Sequence, residues 1–157
     1  MNDYVAGLEQ QAQQYAATLT PSLTDTRELL ILSAAKSCVT AHRYFETRLS
    51  DSALLEHLLA TVRDADGYFS GDARIQASFY LGQFAPSLLA SHSSELLALY
   101  DAEDGEGAGG CMRGLLARAL AAARVPGGRE RILSDSDPER PDNWLFVEAI
   151  DTYDQVA

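Results

Sequence analysis

Apolar residues recur at intervals of three and four along most of the chain, which is the spacing of one face of an α-helix. In residues 3–19 the apolar positions are Tyr4, Leu8, Ala12, Tyr15 and Leu19. Comparable patterns lie within residues 53–65, 72–84, 95–100, 111–124 and 143–153. No stretch alternates apolar and polar residues as a half-buried strand does. The pattern predicts an all-α fold of about seven helices, arranged as antiparallel hairpins with short connections in a single domain over residues 1–157.

Residues 25–49 contain the longest apolar run. Asp25 and Glu28 have the spacing of a capping box, which predicts a helix that begins at Asp25. The residues that follow are apolar on nearly every side of a helical projection: Leu29, Leu30, Leu32, Ala34, Ala35, Cys38, Val39 and Ala41. A helix that is apolar all round is covered on several sides. We therefore expect one long helix to about residue 49, at the centre of the N-terminal half.

The last helical segment has a different pattern. Trp144, Val147, Ile150 and Tyr153 follow one another at intervals of three, so this apolar stripe drifts around the helix. We expect one side to pack against the protein and one or two aromatic side chains to stay exposed.

Composition and charge narrow the functional classes. The chain is 46% apolar and carries a net charge of −11, with sixteen acidic and seven basic residues after position 63. A field of this sign repels nucleic acid and anionic lipid and attracts a basic partner. The N-terminal residues lack the basic and apolar regions of a signal peptide. No apolar run approaches the roughly 20 residues that span a bilayer. We expect a cytoplasmic protein that binds neither nucleic acid nor membrane.

Two acidic segments separate the C-terminal helices, residues 101–110 (DAEDGEGAGG) and residues 134–142 (SDSDPERPD). Both are rich in turn-forming residues and have little to bury, so both are predicted to be exposed loops. We expect their carboxylates to bind a basic protein partner. The predicted partner-binding residues are Asp101, Glu103, Asp104, Glu106, Asp135, Asp137, Glu139 and Asp142. The arginines nearby, from Arg113 to Arg131, are predicted to pair with acids.

The sequence shows no recognisable motif for catalysis, metal binding or phosphate binding. His42 and Glu46 lie four apart on one helix, but no second pair completes a metal site. Counted from Asp101, the positions of an EF-hand loop are filled by the wrong residues, since position 12 is Met112. No phosphate-binding loop or nucleophile motif occurs, and Cys38 and Cys111 are predicted to be buried thiols. We therefore expect a non-catalytic protein with no cofactor and no metal.

Residues 72–124 resemble a HEAT-type helical repeat. An acid and an arginine, Asp72 and Arg74, open the first helix, Ala77 is its small residue, and Leu81 and Gly82 close it. The second helix is interrupted over residues 86–94 and no second copy follows. The resemblance therefore implies a partly HEAT-like, irregular helical domain rather than a repeat array.

In size, acidity and helical composition the chain is also similar to the immunity proteins of bacterial toxin systems. Those proteins neutralise a cognate toxin by occluding its active site, which is often basic. This resemblance implies that the acidic loops cover a basic toxin domain. Two alternatives stay open at this point. One is a helical adaptor or regulatory subunit, which could form a homodimer through residues 144–153. The other is a small-molecule-binding helical domain.

Overall fold

The computed structural model describes residues 3–17, 22–34, 38–64, 71–103 and 111–155. These ranges form ten helices and contain no strand, so the all-α prediction is confirmed and the predicted number of about seven helices is wrong. The helices are α1 (Asp3–Ala16), α2 (Leu23–Ser33), α3 (Val39–Glu46), α4 (Ser52–Arg63), α5 (Asp72–Leu81), α6 (Pro86–Ala90), α7 (Ser93–Ala102), α8 (Met112–Ala122), α9 (Gly128–Asp135) and α10 (Asn143–Asp154).

The predicted long helix over residues 25–49 is two helices, α2 and α3. Ser22, three residues before the predicted start, is the N-cap of α2: its hydroxyl accepts from the Asp25 backbone N–H, and the Asp25 carboxylate accepts from the Ser22 N–H. Cys38 has non-helical backbone angles and is the N-cap of α3. α1 packs against both helices. Within the apolar run, Leu29, Leu30, Leu32, Cys38 and Ala41 are buried, whereas Val39 is exposed.

The chain divides into two compact units, Met1–Tyr80 and Leu81–Ala157, which we call the N-terminal unit and the C-terminal unit. The prediction of a single domain stays a prediction, and so does the HEAT-like resemblance. Within the described ranges, no helix combines the length and apolar character that a membrane crossing requires.

In the N-terminal unit, Arg27 fastens α2 to α4. Its Nε donates to the Thr61 hydroxyl at 3.2 Å, and its Nη1 pairs with Asp64 at 3.0 Å. Further along the chain, Phe79 of α5 is exposed. Tyr80 takes the buried position, where its ring stacks on Phe45 at 4.6 Å and its hydroxyl lies 2.9 Å from His42 Nδ1.

The C-terminal unit is built around α8, which packs against α6, α7, α9 and α10. Its small and aliphatic residues are buried on nearly all sides, as expected for a helix with four neighbours. Gly114 sets the closest approach, to α10. A Cβ atom at this position would lie 2.7 Å from Leu145 Cδ1 and 2.9 Å from Leu145 Cβ, so only glycine fits without a shift.

Arg124 terminates α8 and also caps α10. It adopts a left-handed conformation (φ 50°), and the Val125 N–H bonds back to the Leu120 carbonyl at 3.0 Å, which forms a Schellman motif. The Arg124 guanidinium donates to three backbone carbonyls at the end of α10, those of Thr152, Tyr153 and Gln155. Carbonyls in the last turn of a helix lack the usual donor four residues on, and the Thr152 carbonyl accepts only a 3.3 Å bond from the Gln155 N–H besides this one. One side chain therefore caps the C-terminal end of α10.

Candidate functional site

Arg113, on the first turn of α8, joins the two acidic segments that the sequence singles out. Its Nη1 donates to the backbone carbonyl of Glu103 at 2.7 Å, at the end of α7. Its Nε and Nη2 reach Asp135 Oδ2 at 3.0 and 2.9 Å, at the end of α9. The fold therefore brings the C-terminal ends of α7 and α9 together at one guanidinium.

Tyr100 is the third member of this cluster, with Arg113 and Asp135. Its hydroxyl donates to Asp135 Oδ2 at 2.5 Å, and the Arg113 guanidinium lies 4.5 Å from the centre of its ring. Burial raises the pKa of Tyr100 far above its ordinary value, and the bond to Asp135 raises it further. Burial alone would lower the pKa of Arg113, but its interactions with Tyr100 and Asp135 reverse that effect and raise it. The cluster thus holds a neutral phenol, a cation and a carboxylate in fixed positions.

A second ion pair lies beside the first. Arg131 Nε contacts both carboxylate oxygens of Asp101, at 2.9 and 3.1 Å, and its Nη1 donates to the Gly127 carbonyl at 3.0 Å. Between the two pairs is an open groove of about 270 Å³. Its lining residues are Arg113, Glu130, Arg131, Ser134 and Asp135.

The predicted site residues occupy three kinds of position. Asp101 and Asp135 lie in α7 and α9 and pair with arginines, so their placement in loops is wrong, although Asp101 is exposed as predicted. Asp142 is buried and pairs with Arg140 at 2.9 Å, and Glu103 is also buried. Both were expected to be exposed, and this is wrong: Glu103 is the C-cap of α7, and Asp142 lies in a turn where Arg140 holds its carboxylate.

Asp137 and Glu139 are exposed, as predicted. The turn that carries them is held by Asn143, whose Oδ1 accepts from the Ser136 hydroxyl and from the Asp137 N–H at 2.8 Å. The Glu139 N–H in turn donates to Asp137 Oδ1 at 3.0 Å. These two carboxylates therefore stand on an ordered turn. Asp104 and Glu106 lie outside the described residues, and a role of any of the eight acids in partner binding stays a prediction.

The charge balance of the C-terminal unit is uneven. Residues 81–157 contain thirteen acids and six arginines, a net charge of −7. Five of these arginines form ion pairs, and the sixth, Arg124, caps α10. Four acids of this unit have an exposed side chain and no ion pair among the described residues. They are Glu130, Asp137, Glu139 and Asp151. The prediction that the arginines pair with acids is confirmed for Arg113, Arg118, Arg129 and Arg131.

Sequence reasoning did not identify the groove or the part that Arg113 and Tyr100 play in it. Both residues carry only the helical spacing of their segments. The groove depends on how α8, which supplies Arg113, packs beside α9, which supplies the other lining residues. Cys38 is buried as predicted, while Cys111 is only partly so, and burial raises the pKa of both thiols. In the part of the chain that the structure describes, no three His, Cys, Asp or Glu residues are grouped to hold a metal ion.

Comparison with known proteins identifies no relative. No protein-family model matches the chain, and searches of the curated proteins and of the solved structures found no match. The resemblances to HEAT-type repeats and to immunity proteins therefore stay hypotheses.

Proposed function

We propose that this chain is a non-catalytic binding protein whose C-terminal unit engages a basic protein partner. The role that this chemistry suits best is that of an immunity protein, which neutralises a toxin by covering a basic active site. A regulatory subunit that binds a basic surface of its enzyme is the alternative, and the identity of the partner distinguishes the two.

One observation carries the proposal: the arginines of the C-terminal unit are all engaged within the unit, while several exposed carboxylates have no ion pair among the described residues. Glu130 lies in the groove, and Asp137 and Glu139 stand on the adjoining turn of the chain. Since the guanidinium groups already donate to protein oxygens, the groove is poorly prepared to bind an anion. The carboxylates left over are available to a lysine or arginine of a partner.

The ion pairs also support binding by holding the groove in one shape. Arg113 and Arg131 each contact two chain segments, so the ends of α7, α8 and α9 are fixed before a partner arrives. A preordered acidic surface loses less conformational entropy on binding than a loop that must become ordered. Its field also steers a basic partner during the encounter, which predicts fast and salt-sensitive association.

The test compares two charge-matched variants in affinity capture from lysate of the source cell. The C-terminal variant carries Asp137→Asn, Glu139→Gln and Asp151→Asn. The control variant carries Asp3→Asn, Glu46→Gln and Asp72→Asn. All six positions are exposed and none has an ion pair among the described residues, so each variant removes three charges without breaking a contact of that kind.

We expect the wild type to capture a basic protein at low salt and to release it at high salt. The control variant should capture the same protein equally well, whereas the C-terminal variant should lose most of it. Equal capture by both variants would show that only net charge matters and would contradict the proposal. A captured partner that is acidic would contradict it as well.

A further inference from the structure

One face of α10 points away from its own unit and carries large apolar side chains. Trp144 is 61% exposed and Val147 is 46% exposed. One turn further along the same face are Glu148 and Asp151, which are also exposed. We call these four residues the α10 face. The opposite side of the helix is buried through Leu145, Phe146 and Ala149, and these residues pack α10 against its unit.

Arg118 of α8 borders this face. It pairs with Glu148 at 3.1 Å, and its guanidinium lies 5.9 Å from the centre of the Trp144 ring. The tryptophan therefore has a charged residue beside it and open space above it among the described residues. Tryptophan and arginine are both among the residues enriched at the energetic hot spots of protein interfaces.

We propose that the α10 face binds an apolar side chain carried on a basic segment of a partner protein. This inference rests on the proposed function and adds the apolar anchor that acidic residues alone do not supply. The charge of the face determines the occupant: Glu148 is neutralised by Arg118, but Asp151 has no ion pair among the described residues. A leucine or aromatic residue over Trp144, flanked by lysine or arginine, complements both the apolar and the acidic part of the surface.

A second copy of this chain fits the surface poorly. Two copies would each bring a C-terminal unit with net charge −7, and two Asp151 carboxylates would approach one another across the contact. The apolar area is also small. A tryptophan buries about 150–250 Å², whereas stable interfaces bury about 1,200–2,000 Å² in total.

The chain offers a direct probe, because Trp144 is its single tryptophan. The full-length protein is titrated with a synthetic amphipathic peptide of leucine, lysine and arginine. A second peptide has every leucine replaced by serine, and a third has every basic residue replaced by glutamate. Trp144 emission and its quenching by acrylamide report on the α10 face, and anisotropy of labelled peptide gives the affinity. Trp144→Ser and Val147→Ser test the face, with Val39→Ser, an equally exposed apolar position on α3, as the control.

We expect the leucine-containing basic peptide to bind at least about tenfold more tightly than the serine peptide, as burial of one large apolar side chain would give. Its binding should shift the emission to the blue and protect Trp144 from acrylamide. Trp144→Ser and Val147→Ser should remove this advantage, while Val39→Ser should keep it.

Three results would overturn the inference. If both basic peptides bind equally and the emission does not change, the α10 face is not the anchor, although the proposed acidic binding surface stands. If neither basic peptide binds, or the acidic peptide binds as well, both proposals fail. If the emission shifts with protein concentration alone, a second copy covers the face instead.

Discussion

Arg113 provides the most quantitative test of how the groove is held together. Replacing it by methionine keeps the apolar stem but removes every donor of the guanidinium. Arg113 and Asp135 are only 19% and 28% exposed, so their pair should contribute about 1 kcal/mol, above the value of a fully exposed pair. The bond to the Glu103 carbonyl is worth about 1 kcal/mol more, and the contact with the Tyr100 ring about 0.5 kcal/mol. We expect Arg113→Met to lower the free energy of unfolding by about 2–3 kcal/mol.

The matched control lies on the same helix. Arg118 forms a more exposed pair, 32% and 49%, with Glu148, so Arg118→Met should cost about 0.5 kcal/mol. Both free energies of unfolding are measured by urea titration followed by far-UV circular dichroism. A loss for Arg113→Met that does not exceed the loss for Arg118→Met would refute the view that Arg113 joins the two segments.

Three further changes test the fold with the same urea assay or by pH titration. Gly114→Ala should lower the free energy of unfolding by at least about 1 kcal/mol, because the new methyl group meets Leu145 of α10. Gly7→Ala, which has nothing within 4 Å of the new methyl group, should raise the free energy of unfolding. A gain in stability at both positions would contradict the close approach of α8 and α10. Arg124→Ala should lower the free energy of unfolding by about 1 kcal/mol, because the bonds to the carbonyls of α10 are lost. Arg124→Gly should recover part of this loss, because the left-handed φ at this position suits glycine. Two variants as stable as the wild type would contradict the role of Arg124 as a cap. Burial raises the pKa values of Tyr80 and Tyr153 to about 12 from an ordinary 10.0, so their stabilising contribution is complete below pH 10 and is lost as the pH rises towards 12. Tyrosinate absorbance and circular dichroism should therefore change together in that range, and full titration of the tyrosines with intact helices would contradict the burial.

The sequence predicts the helical class because apolar spacing and the scarcity of β-branched residues act locally. It does not predict where helices break when two adjacent helices are both apolar. The division between α2 and α3 goes with the packing of α1 against each of them, which the local apolar spacing does not encode. Ser22 was missed as the N-cap because Asp25 offered an equally good local pattern, although the two are partners in one capping box.

The site was predicted in part. The acidic segments follow from composition, and the pairing of arginines follows from the abundance of nearby acids. Which acids Arg131 and Arg113 bind depends on how α7, α8 and α9 are arranged, so Asp101 and Asp135 appeared as free loop residues when they are held by arginines. Asp142 is held by a local pair with Arg140, two residues before it. A stripe with intervals of three cannot face one side of a helix along its whole length, which predicted one or two exposed aromatic residues in α10 without saying which, and Trp144 is exposed.

The most direct test of the central claim is the association rate constant of the captured partner with the two charge-matched variants. At low salt we expect the variant with Asp137→Asn, Glu139→Gln and Asp151→Asn to associate about tenfold more slowly than the wild type. The dissociation rate of this variant should change little, and the control variant should behave as the wild type. At high salt the association rates of all three proteins should become similar. Association rates that are the same for both variants at low salt would contradict an acidic binding surface in the C-terminal unit.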